Sequence, residues 1–169
     1  MSTAPSARPQ QQPDGAAAEC LLCALEEAPE QTRVFADDLW AAEVPPGAEV
    51  PGWFFLRSRR HAELITGLDE AELQTLATRA RDLTEAVRLV TGAEAVYFMS
   101  FGESHLHYHA LVVARGAEIA AEHRGGHIVG LRPEAIDRQA ALALVAPIRE
   151  AYQQITDRRD SHRTPSVTA

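Results

Sequence analysis

His105, His107 and His109 stand at alternate positions in the run Ser104-His105-Leu106-His107-Tyr108-His109-Ala110-Leu111-Val112-Val113. Neutral imidazole is a common metal ligand and, near neutral pH, a base or nucleophile. In a strand successive side chains point to opposite faces, so the three rings would share one face while Leu106, Tyr108 and Ala110 turn toward a core. On a helix the same spacing would scatter them over about 200° of arc. The Val-rich continuation favours the strand. A lone strand histidine is usually a surface or satisfied core residue. A row of three points to a metal site, or to proton or nucleophilic catalysis.

The rest of the chain must hold that row in place. The 169 residues are 46% hydrophobic, enough for one domain with a real core. No run reaches the roughly 18 apolar residues of a membrane span. The N-terminus has no charged region followed by an apolar block, so no secretory signal is read and the cytoplasm is the expected location. Cys20 and Cys23 are then not expected to form a structural disulfide. A formal charge of −8 argues against nucleic-acid binding, which needs a basic footprint, but leaves room for a small anionic substrate.

Residues 1–16, rich in Pro, Gln, Ser and Ala, read as a disordered leader, and 158–169 as a disordered tail. Between them, 17–157 read as the domain. Asp37-Asp38 separates two short apolar runs as the turn of a hairpin. Gly52 to Arg57 is a nearly continuous apolar run, hence a central strand. From Asp69 to Thr91, Leu73, Leu76, Ala80, Leu83, Val87 and Val90 recur at helical spacing, and Gly92 stands where a C-terminal cap belongs. Ala95 to Ser100 is a fourth strand and the histidine run a fifth, joined by a turn short enough for antiparallel neighbours. The glycine-rich stretch 116–132, with His123 and His127, reads as a loop. A second helix is expected from 133 or 134 to about 156, with Pro147 marking a kink or break. The order predicts an α+β domain, with an antiparallel sheet of about five strands and two main helices on one side.

These residues resemble the histidine triad (HIT) family. Its motif His-φ-His-φ-His-φ-φ, with φ an apolar residue, is matched by His105 through Leu111. Cys20-Leu21-Leu22-Cys23 matches the family's C-x-x-C, and Asp37-Asp38-Leu39-Trp40 its acidic turn before an apolar strand. Pro51-Gly52-Trp53 through Arg59-Arg60-His61 matches its Pro-Gly, strand and basic-His corner. The likeness spans roughly Cys20 to Arg115 and implies a HIT-like fold.

It also implies a nucleotidyl hydrolase acting on a small nucleotide substrate at an α-phosphate anhydride or phosphoramidate. The middle histidine, His107, would be the nucleophile, and His109 would stabilise the phosphate. The implied alternatives are a nucleotidyltransferase and a non-catalytic nucleotide-binding or interaction protein. Members with the C-x-x-C imply a structural zinc held here by Cys20, Cys23, His61 and His105, a closed tetrahedral donor set. A homodimer is a further expectation, with the second helix contributing to its interface.

The chain also departs from the family pattern. The usual Asn-x-Gly and Gly-Gln before the triad give way to Phe101-Gly102-Glu103-Ser104, leaving Gly102 and Ser104 as candidate phosphate contacts. The usual Pro-Arg after the triad is Ala114-Arg115. Arg59 and Arg115 are the expected phosphate-neutralising cations. Arg57 and Arg60 read at least as well as solvated surface residues, and Glu43 stands at an offset from Pro51-Gly52 that is not the usual one for the family's ribose-binding acid.

Overall fold

The computed structural model describes residues 20–163 apart from residue 104. The expected leader at 1–16 lies outside the described residues, as does 164–169 of the expected tail.

The N-terminal C-x-x-C opens a single helical turn, α1 (Leu21–Ala24), anchored by the fully buried Leu22. Strands β1 (Arg33–Ala36) and β2 (Trp40–Glu43) form the expected hairpin. Asp37 closes it by accepting hydrogen bonds from the backbone amides of Leu39 and Trp40. Strand β3 (Trp53–Ser58) follows, and then the long helix α2 (Glu70–Thr91). Strands β4 (Ala95–Met99) and β5 (His109–Arg115) complete one antiparallel sheet of order β1-β2-β3-β5-β4.

Gly52 adopts φ +80° immediately before β3, and a Cβ there would lie 2.8 Å from that of Ala114 on β5. The Pro51-Gly52 step therefore depends on glycine both for its conformation and for the close approach of the two strands. Helix α2 starts in a reciprocal capping box between Asp69 and Glu72 and ends at Gly92 with φ +68°.

Alternation in β3 and β5 divides the sheet into two faces. Phe54, Leu56 and Val112 join Leu83, Ala86 and Val87 of α2 in the main core. The C-terminal helices are α3 (Arg132–Ala135), α4 (Arg138–Ala143) and α5 (Val145–Arg163). Ile148, Tyr152 and Ile155 of α5 close the same core, and the Phe35 and Tyr152 rings stack with centroids 4.2 Å apart. The expected single second helix is therefore three. Pro147 sits in the first turn of α5, where its missing N–H costs little. That helix continues to Arg163, past the expected helix end at about 156 and the expected domain end at 157.

On the opposite face, one end is covered by the 3₁₀ segment Gly125–Leu131, whose Ile128 packs with Val50, Trp53 and Val113. The other end carries His109. Among the described residues no helix is long and apolar enough to cross a membrane.

One expectation is corrected. Strand β5 begins only at His109, so the three histidines are not a row on one strand. Pairing with β4 ends at Met99–Leu111, leaving residues 105–108 without a β4 partner. The Tyr108 amide instead donates to the Ala62 carbonyl, and the Ser58 amide donates to the Tyr108 carbonyl. These bonds draw the segment toward the His61 corner.

Candidate active site and metal centre

The turn before β5 separates the histidines in space. The ligand atoms of Cys20, Cys23, His61 and His107 all lie within 4.8 Å of one another. Nδ1 of His107 lies 3.5 Å from Sγ of Cys20 and 3.4 Å from Sγ of Cys23, and Nδ1 of His61 is 3.3 Å from Cys23 Sγ. A tetrahedral zinc with ordinary Zn–S and Zn–N bonds sets sulfur and nitrogen about 3.6 Å apart. The donor set fits such an ion in both type and spacing.

His107 is fully buried, and its Nε2 hydrogen goes to the Ser58 carbonyl at 2.7 Å. That bond leaves the Nδ1 lone pair facing the sulfurs, the outer-shell arrangement usual for a ligating histidine. Burial pushes the His107 imidazole down to about 4 despite the Ser58 carbonyl, so the ring stays neutral. Burial, helped by Cys20, pushes the Cys23 thiol up to about 11. A bound cation is what would hold that sulfur as thiolate.

The expected ligand set is thus corrected at one position, with His107 in the cluster and His105 outside it. Both ring nitrogens of His107 are committed, which leaves no lone pair for the expected role as nucleophile. His109 differs. Its Nδ1 hydrogen goes to the His107 carbonyl at 2.8 Å, so its Nε2 carries a free lone pair. The Phe55 ring meets it edge-on at 5.0 Å, and the Ser100 hydroxyl donates to its carbonyl at 2.8 Å. Burial holds its imidazole below the ordinary range.

A cavity of about 330 Å³ opens beside His109, with Leu64, Ile65, Thr66, Phe101 and Gly102 among its walls. Gly102 is on the cavity wall, at φ +72° and tight against Leu64. Ser104 lies outside the described residues. The Leu64–Thr66 wall carried no signal in the sequence, because its residues are apolar or neutral and belong to no motif.

Neither expected arginine lies on the cavity wall. Arg59 is bound to Glu26 and to the Asp37 carbonyl. Arg115 pairs with Glu94, six residues along β5 from His109, or about 20 Å. Arg57 is not a solvated surface residue. It is fully buried, bonded to Glu43 and, at 2.8 Å, to Glu26. Glu43 is likewise buried, facing Arg57 and Arg33. Together these groups fasten the 3₁₀ turn Leu25–Glu27 that follows α1, and through it the cysteine segment, to β2 and β3.

No family model matches the chain, and no curated protein is similar to it in sequence. Solved structures are similar in fold. A hypothetical histidine triad nucleotide-binding protein from Sulfolobus tokodaii superposes with a TM-score of 0.65 at 16% identity, over 81% of this chain and 94% of that one. A zinc-bound histidine triad family protein from Mycobacterium smegmatis gives 0.61 at 18% identity, over 84% and 99%. A uridylyltransferase gives 0.59 at 21% identity over 81% of this chain, which spans about half the length of that enzyme (46%). With its five-stranded antiparallel sheet and its histidines at the start of β5, the chain has the fold of the histidine triad proteins.

Proposed function

We propose that this protein is a nucleotidyl-transferring hydrolase in which His109, rather than His107, is the nucleophile. The observation that carries the reading is the hydrogen bond from His109 Nδ1 to the His107 carbonyl, which fixes the tautomer and frees Nε2 beside the cavity. In the reaction the Nε2 lone pair attacks a nucleoside α-phosphorus. A P–N bond forms as the bond to the leaving group breaks, and the leaving atom departs with its electron pair and takes a proton from solvent. Water then attacks the phosphorus and releases His109. Two displacements at an oriented imidazole replace one difficult one.

In this reading Cys20, Cys23, His61 and His107 hold zinc, in keeping with the zinc-bound histidine triad structure that shares the fold. The ion supplies a rigid cross-link between α1, the His61 corner and the start of β5, so the carbonyl that orients His109 is itself held. The cytoplasm, where both cysteines stay reduced, suits such a centre.

The acceptor is water in the preferred reading. Transfer to a phosphate or sugar phosphate is the second, favoured by the fold shared with a uridylyltransferase. The test is intact-protein mass after acid-free quenching with adenosine phosphoramidate, diadenosine polyphosphate or a uridine diphosphate sugar. A nucleoside-monophosphate adduct absent from His109→Ala supports the reading. Ligand binding with neither adduct nor product refutes it.

A further inference from the structure

If His109 carries the phosphoryl group, something must meet the negative charge on its non-bridging oxygens. The next side chain on the same face of β5 is Leu111, so the strand offers no imidazole downstream. The chain has no lysine, its 16 basic residues all being arginine. The arginines around the site are engaged elsewhere: Arg57 with Glu43 and Glu26, Arg59 with Glu26, Arg60 with Glu72.

Among the described residues around the site, one imidazole outside the Cys/His cluster is left beside His109. His105 is half-buried, lies outside the Cys/His cluster, and has its ring centroid 6.0 Å from that of His109 with the planes tilted by 57°. At that separation a phosphoryl group on one ring comes within reach of an N–H on the other, at about 2.9 Å.

We infer that His105 is the phosphate-contacting residue of this enzyme, donating a ring N–H to a non-bridging oxygen of the group held on His109. The role enters the sheet from the upstream side because Leu111 vacates the downstream one. His105 keeps its proton throughout. The covalent change is confined to P–N formation at His109 Nε2 and loss of the leaving group with its electron pair. A donor aimed at developing phosphoryl charge typically contributes a factor of about 10²–10³ in rate. The inference rests on the reading of His109 as nucleophile.

The experiment compares the parent with His105→Ala, His105→Gln and His109→Ala, using adenosine 5′-phosphoramidate and uridine 5′-phosphoramidate as probes. It records kcat, KM, adduct mass and zinc content. The expected result is a kcat lower by about 10²–10³ in His105→Ala, partial recovery in His105→Gln, which restores a donor, and parental zinc content in both. A His105→Ala kcat within threefold of the parent overturns the inference while leaving His109 as nucleophile. Loss of zinc from His105→Ala also overturns it, by returning His105 to the metal. A parent that gives neither adduct nor product with either probe removes the His109 reading, and this inference with it.

Discussion

His109 hands its Nδ1 hydrogen to the carbonyl oxygen of His107 at 2.8 Å, while the ring of His107 turns away to the cysteines and Ser58. One residue thus acts on its neighbour's ring through its backbone and joins the Cys/His cluster through its side chain. A two-residue separation in sequence becomes a separation of surroundings, with a buried ring among the cysteines on one side and an open Nε2 on the other.

Substitution at the two positions should therefore fail in different ways. His109→Ala should keep its metal and melting temperature but lose turnover by roughly three orders of magnitude or more, as removal of a nucleophile does. His107→Ala should lose bound zinc and be destabilised by several kcal/mol, because metal binding energy at a closed site is folding energy. Metal analysis and thermal melting of the two variants check this. Equal zinc loss in both would be incompatible with the assignment.

The Arg57–Glu43 pair is fully buried. Removing one partner strands a charge in the interior, so Arg57→Ala or Glu43→Ala should each cost about 3–5 kcal/mol in urea unfolding. The double variant Arg57→Met with Glu43→Leu removes both charges and should recover much of that loss. A double variant no more stable than either single one would mean that the network's remaining members, Glu26 and Arg33, depend on the pair.

Acid should weaken the attachment of the cysteine segment. The Arg59 hydrogen bonds, followed by that of Arg57, hold the Glu26 carboxyl down at about 2, against an ordinary 4.5. A depressed folded pKa means that the stabilisation is complete above about pH 4.5 and is lost as pH falls toward 2. Unfolding free energies at several pH values should converge for the parent and Glu26→Gln across that window. A constant gap would show that Glu26 stays ionised, or contributes nothing ionic.

Much of this was legible in the sequence, for reasons that differ by element. The hairpin, β3 and α2 were visible because Asp37, the Gly52–Arg57 run, Asp69 and Gly92 are local signals that act through backbone geometry. The grouping of Cys20, Cys23 and His61 was legible, but not which triad histidine joins them. That choice depends on where β5 begins, and the start is fixed by non-local bonds from Tyr108 to Ala62 and Ser58. Periodicity can put three histidines on one strand face. It cannot tell that the strand will have paired with β4 only as far as Leu111. Burial of Arg57 was likewise invisible, since its partner Glu26 is 31 residues away.

The last expectation concerns the edge of the sheet. Among the described residues β4 pairs only with β5, leaving its outer edge unpaired in the sheet, and Phe98 on it is 41% exposed. Beside it Leu73, although in phase with the apolar positions of α2, is 45% exposed, and with Leu76 and Ala80 it lines a groove that Phe98 closes. Exposed edges and apolar grooves of this kind invite strand or helix pairing with another chain. A second copy is the occupant we expect. The charges along the groove, Arg81, Glu85 and Arg88, include both signs, so a two-fold axis can set arginine of one copy against Glu85 of the other. Sedimentation or light scattering should therefore give twice the 18.4 kDa chain mass for the parent. Phe98→Glu should shift the protein to monomer with its melting temperature nearly unchanged. If the parent is monomeric across the micromolar range, the groove has some other occupant.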